Sequence, residues 1–140
     1  MDSVLNVGVN DDVVQQLMEV TGNVRFALDV QRRFLEQFGT IVFKISKHLY
    51  KNILKEAKAH DGVSREGDLS IEALRGVVAG FKKLADIPTR PFDQLNLAIE
   101  AVFSSWHSAR YNPSLVETVL REIYLAECQD VKTASMASLS

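Results

Sequence analysis

The sequence predicts an all-α fold, a helical bundle of about five to six helices with an extended segment at its N-terminus. Apolar residues recur every three or four positions in six stretches, which is the period of an amphipathic helix. Several stretches are preceded by helix-capping side chains and followed by glycine or proline. Residues 1–9 hold the one strand-like piece, and no second strand is predicted to pair with it.

The first helix begins at an asparagine cap, and the second starts from another asparagine. Asn10 caps a short helix that ends at Gly22, with Val13, Val14, Leu17 and Met18 facing inward. A longer helix follows Asn23, with a break near Gly39 as an alternative. Its predicted inner residues are Phe26, Val30, Phe34, Phe38, Ile41 and Ile45. Its predicted outer residues are Arg25, Asp29, Arg32, Arg33 and Glu36.

Serines cap the third and fourth helices. The third follows Ser46, ends at residues 60–62, and turns Leu49, Tyr50, Ile53, Leu54 and Ala57 inward. The segment "GVSREGDLS" is a polar loop that leads to the cap at Ser70. The fourth helix ends ahead of Pro88 and turns Leu74, Val77, Val78, Phe81 and Leu84 inward.

Prolines mark the first turns of the last two helices. Pro91 opens a fifth helix whose apolar side holds Phe92, Leu95, Ile99, Val102, Phe103 and Trp106. Asn112 and Pro113 open a sixth, with Val116, Val119, Leu120 and Ile123 inward. We expect one helical domain over residues 1–128, in which residues 111–128 form the sixth helix, and a flexible tail over residues 129–140.

Composition narrows the classes of partner. A chain of 140 residues with 46% hydrophobic residues suits one globular domain. Its net charge of −2 offers no field for nucleic acid or for an anionic membrane surface. Apolar runs are too short to span a bilayer, and no secretory leader pattern is present. We therefore expect a cytoplasmic protein, with an organelle left open, and an unreactive Cys128.

The motifs of common catalytic and metal sites do not occur. A glycine-rich phosphate loop is missing, and His48, His60 and His107 lack metal-ligand spacing, so we predict neither a metal site nor a catalytic residue. Adjacent Arg32 and Arg33 have two interpretations. They form solvated ion pairs on their own helix, or they contact a phosphate or a neighbouring domain. Trp106 and Arg110 also have two interpretations. They lie in the core and at its rim, or they make a contact between domains.

Four stretches carry a resemblance to a known family. In order, they are "MDSVLNVGVND", "RFALDVQRRFLEQFG", "GDLSIEALRGVVAGFK" and "PFDQLNLAIEAVFSSW", the last followed by "AR". Residues 1–110 thereby resemble part of the nucleotide-binding half of pyruvate, phosphate dikinases, which has an ATP-grasp fold. The resemblance implies that residues 10–110 are dikinase-like and that residues 13–106 match its mostly helical subdomain. Residues 111–140 match nothing in the family.

The resemblance also implies where a nucleotide would lie. Met1, Asp2 and Ser3 match the end of a loop that runs past ATP, with serine where the family usually has threonine. The intact enzyme uses ATP and Mg²⁺, but its phosphate-binding strands, phosphocarrier histidine and pyruvate barrel have no counterpart in these residues. We therefore expect this chain alone neither to bind ATP tightly nor to turn over substrate.

Two functions remain open from the sequence. The first is a fragment of a dikinase that interconverts ATP, phosphate and pyruvate with AMP, diphosphate and phosphoenolpyruvate, with the remainder of that enzyme as partner. The alternative is a stand-alone helical interaction or regulatory module that binds another protein. Self-association through an exposed apolar patch is a further expectation.

Overall fold

The computed structural model describes residues 6–106, together with residues 121 and 125. This part of the chain contains five α-helices, one short 3-10 helix and no strand, which confirms the all-α prediction. The helices are α1 (Asp11–Thr21), α2 (Val24–Ile41), α3 (Lys47–Asp61), α4 (Ile71–Leu84) and α5 (Pro91–Trp106). The 3-10 helix, Glu66–Asp68, lies between α3 and α4.

The sixth predicted helix lies largely outside the described residues, as do the tail over residues 129–140 and Cys128. Arg121 and Leu125 are helical. The chain divides into two compact units, Met1–Val102 and Phe103–Ser140. None of the helices in the described residues is both long and apolar enough to cross a membrane.

Helices α1, α3 and α4 begin at the predicted caps, and α2 is capped by Asn23, from which the second helix was predicted to start. The side chains of these caps accept hydrogen bonds from backbone N–H groups in the first turn, which would otherwise lack partners. The cap and donor pairs are Asn10 with Val13, Asn23 with Phe26, Ser46 with His48, and Ser70 with Ala73. Gly22 and Gly62 end α1 and α3 in the left-handed conformation, with φ of 63° and 68°.

The core forms around α2, which packs against α1, α3 and α4. The Tyr50 ring of α3 meets Phe81 of α4 edge-on at 4.8 Å between centroids. The buried core residues are Leu28, Phe34, Leu35, Phe38, Tyr50, Leu54, Leu69, Leu74, Val77, Val78, Phe81 and Ala98. Most were predicted as inner residues, because the helical period identifies the apolar face wherever another helix covers it.

Helix α2 runs through Gly39 without a break and ends at Ile41, so Ile45 lies beyond it. The alternative of a break at Gly39 was wrong. Gly39 is buried beside Tyr50, and its missing side chain leaves space for the tyrosine hydroxyl. Space for the Tyr50 side chain, not a helix break, accounts for the glycine.

Several predicted inner residues are exposed. Phe26 on α2 and Leu49 on α3 face solvent, and so does most of the apolar side of α5, where Phe92 is 63% exposed. The exposed residues of that side are Phe92, Leu95, Ile99 and Phe103. Helix α5 buries Gln94, Ala98 and Ala101 instead. Periodicity locates an apolar stripe but does not show what covers it.

Candidate functional site

The N-terminal segment, residues 6–10, contains neither helix nor strand and is held by one buried side chain of α5. Gln94 is 1% exposed. Its Oε1 accepts a hydrogen bond from the Gly8 N–H at 2.8 Å, and its Nε2 donates to the Val9 carbonyl at 2.9 Å. The same Nε2 donates to the Pro88 carbonyl at 2.8 Å. The Gln94 amide thus satisfies backbone groups that a neighbouring strand would satisfy in a sheet.

Two further features fix the course of this segment. Asn10 donates from Nδ2 to the Thr89 carbonyl at 2.9 Å while its Oδ1 caps α1. Gly8 has φ of +97°, a conformation that side-chain-bearing residues rarely adopt. The N-terminal segment is therefore tied both to α5 and to the connection between α4 and α5.

A cavity of about 200 Å³ lies beside the segment. Its polar rim includes Asp11, whose Oδ1 accepts hydrogen bonds from Lys82 Nζ and from Gln31 Nε2, each at 2.6 Å. The hydrogen bond from Lys82 lowers the pKa of Asp11, and the one from Gln31 lowers it further against the opposing effect of partial burial. Small-molecule pockets usually measure about 300–1,000 Å³, so this cavity alone is too small for a nucleotide.

A second charged cluster surrounds Arg32, whose side chain is 7% exposed. Its Nη2 lies 2.8 Å from Asp29 Oδ1, and its Nη1 lies 3.7 Å from Glu36 Oε2. Nη2 also lies 3.4 Å from Glu66 Oε2 in the loop between α3 and α4. The prediction that Arg32 faces outward was wrong, because Glu66 and the loop that carries it come from a different part of the chain and cover the guanidinium.

Arg33 differs from its neighbour. Its side chain is 73% exposed, and its Nε lies 2.8 Å from Asp29 Oδ2. The ion pairs expected within α2 are therefore present, and three carboxylates surround the buried Arg32. A phosphate or interdomain contact by either arginine stays a prediction.

The other predicted site residues lie mostly beyond this part of the chain. Met1, Asp2, Ser3, His107 and Arg110 are outside the described residues, and His48 and His60 are exposed on α3. Among the described residues, no group of three or more histidine, cysteine or acidic side chains is arranged to hold a metal ion.

The polar contacts that fix the loops leave no pattern in the sequence. Asp61 at the end of α3 accepts hydrogen bonds from the Ser70 N–H at 2.6 Å and from the Ser70 hydroxyl at 3.1 Å, and these bonds lower its pKa. Arg25 donates to the carbonyls of Gly67 and Leu69. The sequence holds one signal for the burial of Gln94. Its spacing places it on the same helix face as the small residues Ala98 and Ala101.

Comparison with known proteins identifies the relatives of this bundle. No protein-family model matches the chain. The chloroplastic pyruvate, phosphate dikinase of Flaveria pringlei is 43% identical over 118 residues, which cover 80% of this chain and 12% of the relative. The pyruvate, phosphate dikinase of Rickettsia bellii is 39% identical over 115 residues, which cover 79% of this chain and 13% of the relative.

The chain is homologous to a segment of pyruvate, phosphate dikinase. The match confirms the resemblance found in the sequence, since identity of 36–43% extends over about four-fifths of the chain. The chain spans about one eighth of the length of the curated dikinases it matches, because the match covers 12–13% of each. The five helices and the Gln94 contacts therefore lie in a chain that is related to one part of a dikinase.

Proposed function

We propose that this chain supplies the helical part of the nucleotide-binding half of a pyruvate, phosphate dikinase. Identity of 43% to a Flaveria dikinase over most of the chain carries the proposal. In this role the intact enzyme converts ATP, phosphate and pyruvate into AMP, diphosphate and phosphoenolpyruvate with Mg²⁺, in the cytoplasm or in an organelle. The remainder of the dikinase is then the partner of this chain.

The described helices act in this role as a scaffold. Phosphoryl transfer depends on cations placed around the phosphates. In the described residues, Arg32 and Lys82 are paired with carboxylates of the same bundle. Met1, Asp2 and Ser3 would lie beside the nucleotide. We therefore expect no turnover and no tight ATP binding by this chain alone.

A segment exchange tests the proposal. The homologous segment of the Flaveria pringlei dikinase is replaced by the matching residues of this chain, and phosphoenolpyruvate formation is measured with Mg²⁺ and ATP. We expect the chimera to retain turnover within about tenfold of the parent enzyme, since the exchange leaves the reacting groups in place. The control is the same dikinase with the segment deleted, which should be inactive. A chimera that folds but makes no phosphoenolpyruvate contradicts the proposal.

An interaction module is the second candidate, and the exposed apolar side of α5 favours it. Phe92, Leu95 and Ile99 lie exposed on one helix, and such a patch is typical of a docking surface. The two functions differ in the size of the native product. An antibody against residues 46–90 should detect a band much larger than 140 residues if the chain is part of a dikinase. A band of 140 residues instead supports the module.

A further inference from the structure

We propose that helix α3 carries a docking surface for an acidic helix of a partner protein. The surface is a row of lysines, which we call the lysine stripe and which consists of Lys47, Lys51, Lys55 and Lys58. At 3.6 residues per turn these positions fall within about 80° of one another around the helix, and they extend along about 17 Å of it. The first three are exposed and Lys58 is partly buried. The stripe belongs to this chain whichever of the two candidate functions holds.

The lysines of the stripe have no acidic partners. None of them forms an ion pair with a carboxylate of the described residues. Glu36 lines the same shallow depression as Lys47, but its carboxylate lies 3.7 Å from Arg32 instead. A solvated helix face gains from opposite charges four residues apart, such as Asp29 and Arg33 on α2. The stripe repeats the same charge at that spacing, so its lysines repel one another.

The stripe also opposes the dipole of its own helix. Helices α1, α4 and α5 each have an acidic residue in the first turn, where the dipole favours negative charge. Helix α3 has none there and begins with Lys47 and His48. Carboxylates of a partner placed over the stripe would offset both the unfavourable dipole at Lys47 and the repulsion among the lysines.

A further unpaired cation, Lys44, lies two residues before the Ser46 cap of α3. Its φ of 58° makes it the one residue other than glycine with a positive φ in the described part of the chain. Lysine adopts this conformation at a cost that glycine would not have. Departures from local preference are expected at functional sites, and here they occur together at the start of the stripe.

The spacing of the lysines selects the kind of partner. Lys47, Lys51 and Lys55 follow one another at about 6 Å along the axis, which is also the repeat of acidic residues at every fourth position of a second helix. A membrane fits less well, because the apolar side of α3, with Tyr50 and Leu54, is buried in the bundle and cannot enter lipid. Nucleic acid fits less well because the chain has a net charge of −2 and because Tyr50, the one Phe, Tyr or Trp of α3, offers no exposed ring for stacking.

An NMR titration of the full 140-residue chain with a synthetic peptide tests the surface. The probe is an alanine-rich helical peptide with glutamate at every fourth position, and the control probe has the same composition with its glutamates spread around the helix. We expect the backbone amide signals of α3 to shift with the first probe at an ionic strength of about 0.01 M. The affinity should fall at about 0.15 M, where charges are screened beyond about 8 Å. Equal binding of the two probes, or binding of neither, overturns the proposal.

A matched pair of double variants locates the binding. Lys51→Gln with Lys55→Gln removes two charges from the centre of the stripe. The control, Arg75→Gln with Lys83→Gln, removes two exposed cations of α4 that have no ion-pair partner among the described residues. We expect the stripe variant to bind the first probe about tenfold more weakly and the control to bind it within about twofold of the wild type. Equal weakening in both variants would show a general attraction of charge and overturns the proposal.

A charge reversal measures the cost of the stripe without a ligand. Lys47→Glu should raise the Tm of the chain, because it places an acid at the start of α3 and turns a repulsion of Lys51 into an attraction. An unchanged or lower Tm contradicts a stripe that lacks partners in the free chain.

Two other polyanions test the choice of partner. Single-stranded polyuridylate and vesicles that contain phosphatidylserine replace the peptide in the same titration, with the same two double variants. We expect both to bind more weakly than the first probe. Tighter binding of either one, lost on changing Lys51 and Lys55 to Gln, overturns the acidic helix as the partner.

Discussion

Gly39 of α2 lies against the Tyr50 side chain of α3, and its replacement by alanine tests the packing of the core. A Cβ atom added at Gly39 would lie 1.8 Å from the Tyr50 hydroxyl oxygen and 3.0 Å from Cζ. Tyr50 is fully buried, and its ring packs edge-on against Phe81 at 4.8 Å. The ring therefore has little room to retreat, and either it or the helix must shift.

Two opposing effects set the size of the change in stability. Alanine in a helix interior is favoured over glycine by about 1 kcal/mol. Overpacking a core costs about 1–3 kcal/mol, and occasionally more. Because a separation of 1.8 Å is far below van der Waals contact, the cost belongs at the upper end of that range. We expect Gly39→Ala to lower the free energy of unfolding by about 2 kcal/mol and the Tm of the 140-residue chain by roughly 7 °C.

Thermal and urea denaturation of the 140-residue chain, followed by circular dichroism, measure this loss. The matched control is Gly76→Ala on the exposed side of α4, where an added Cβ meets nothing within 4 Å. That variant should be more stable than the wild type by up to about 1 kcal/mol. Adding Tyr50→Phe to Gly39→Ala should restore part of the loss, because the hydroxyl is the nearest obstacle and has no hydrogen-bond partner among the described residues. If Gly39→Ala is as stable as Gly76→Ala, the Tyr50 side chain does not pack against Gly39 as described.

Three further predictions concern charge and the surface. Arg32→Met should lower the free energy of unfolding by about 1–3 kcal/mol in urea denaturation, because it leaves three partly exposed carboxylates without a buried cation. Arg33→Met should change the free energy of unfolding by less than about 0.5 kcal/mol. Lys82→Met should lower the free energy of unfolding by at most about 1 kcal/mol at pH 7, because it removes the partly exposed ion pair with Asp11. Because folding lowers the pKa of Asp11 from its ordinary value of 3.8, the ionised Asp11 stabilises the fold above pH 3.8. The difference in stability between Lys82→Met and the wild type should therefore shrink as the pH falls below 3.8. A difference that stays constant would contradict this reasoning. Leu95→Asp should change the free energy of unfolding by less than about 1 kcal/mol and should reduce self-association measured by sedimentation velocity. Unchanged self-association would show that α5 does not mediate it.

Local signals in the sequence were sufficient for the helix starts but not for their surroundings. Asn10 and Ser70 cap the first turns that follow them, and this interaction depends only on neighbouring residues. The burial of Arg32 depends in part on Glu66, which comes from a distant loop and which no period within α2 reveals. Gln94 likewise pairs with backbone groups, and backbone groups carry no sequence signature. The missed features are therefore those that arise from long-range contacts.

The orientation of α5 follows from the competition between its two sides. Turning the apolar side inward would bury Phe92, Leu95 and Ile99 more fully, but these are already partly buried, with 63%, 40% and 43% exposed, so the gain is roughly 2–4 kcal/mol in all at about 1.5–3 kcal/mol for each fully buried side chain. The same rotation would withdraw Gln94 and leave three backbone groups without partners, at about 1–3 kcal/mol each. The polar loss of about 3–9 kcal/mol is at least as large as the apolar gain, so the chain itself favours the observed orientation. A partner that covers the apolar side would favour the observed one, and the proposed place of this chain within a dikinase provides such a partner.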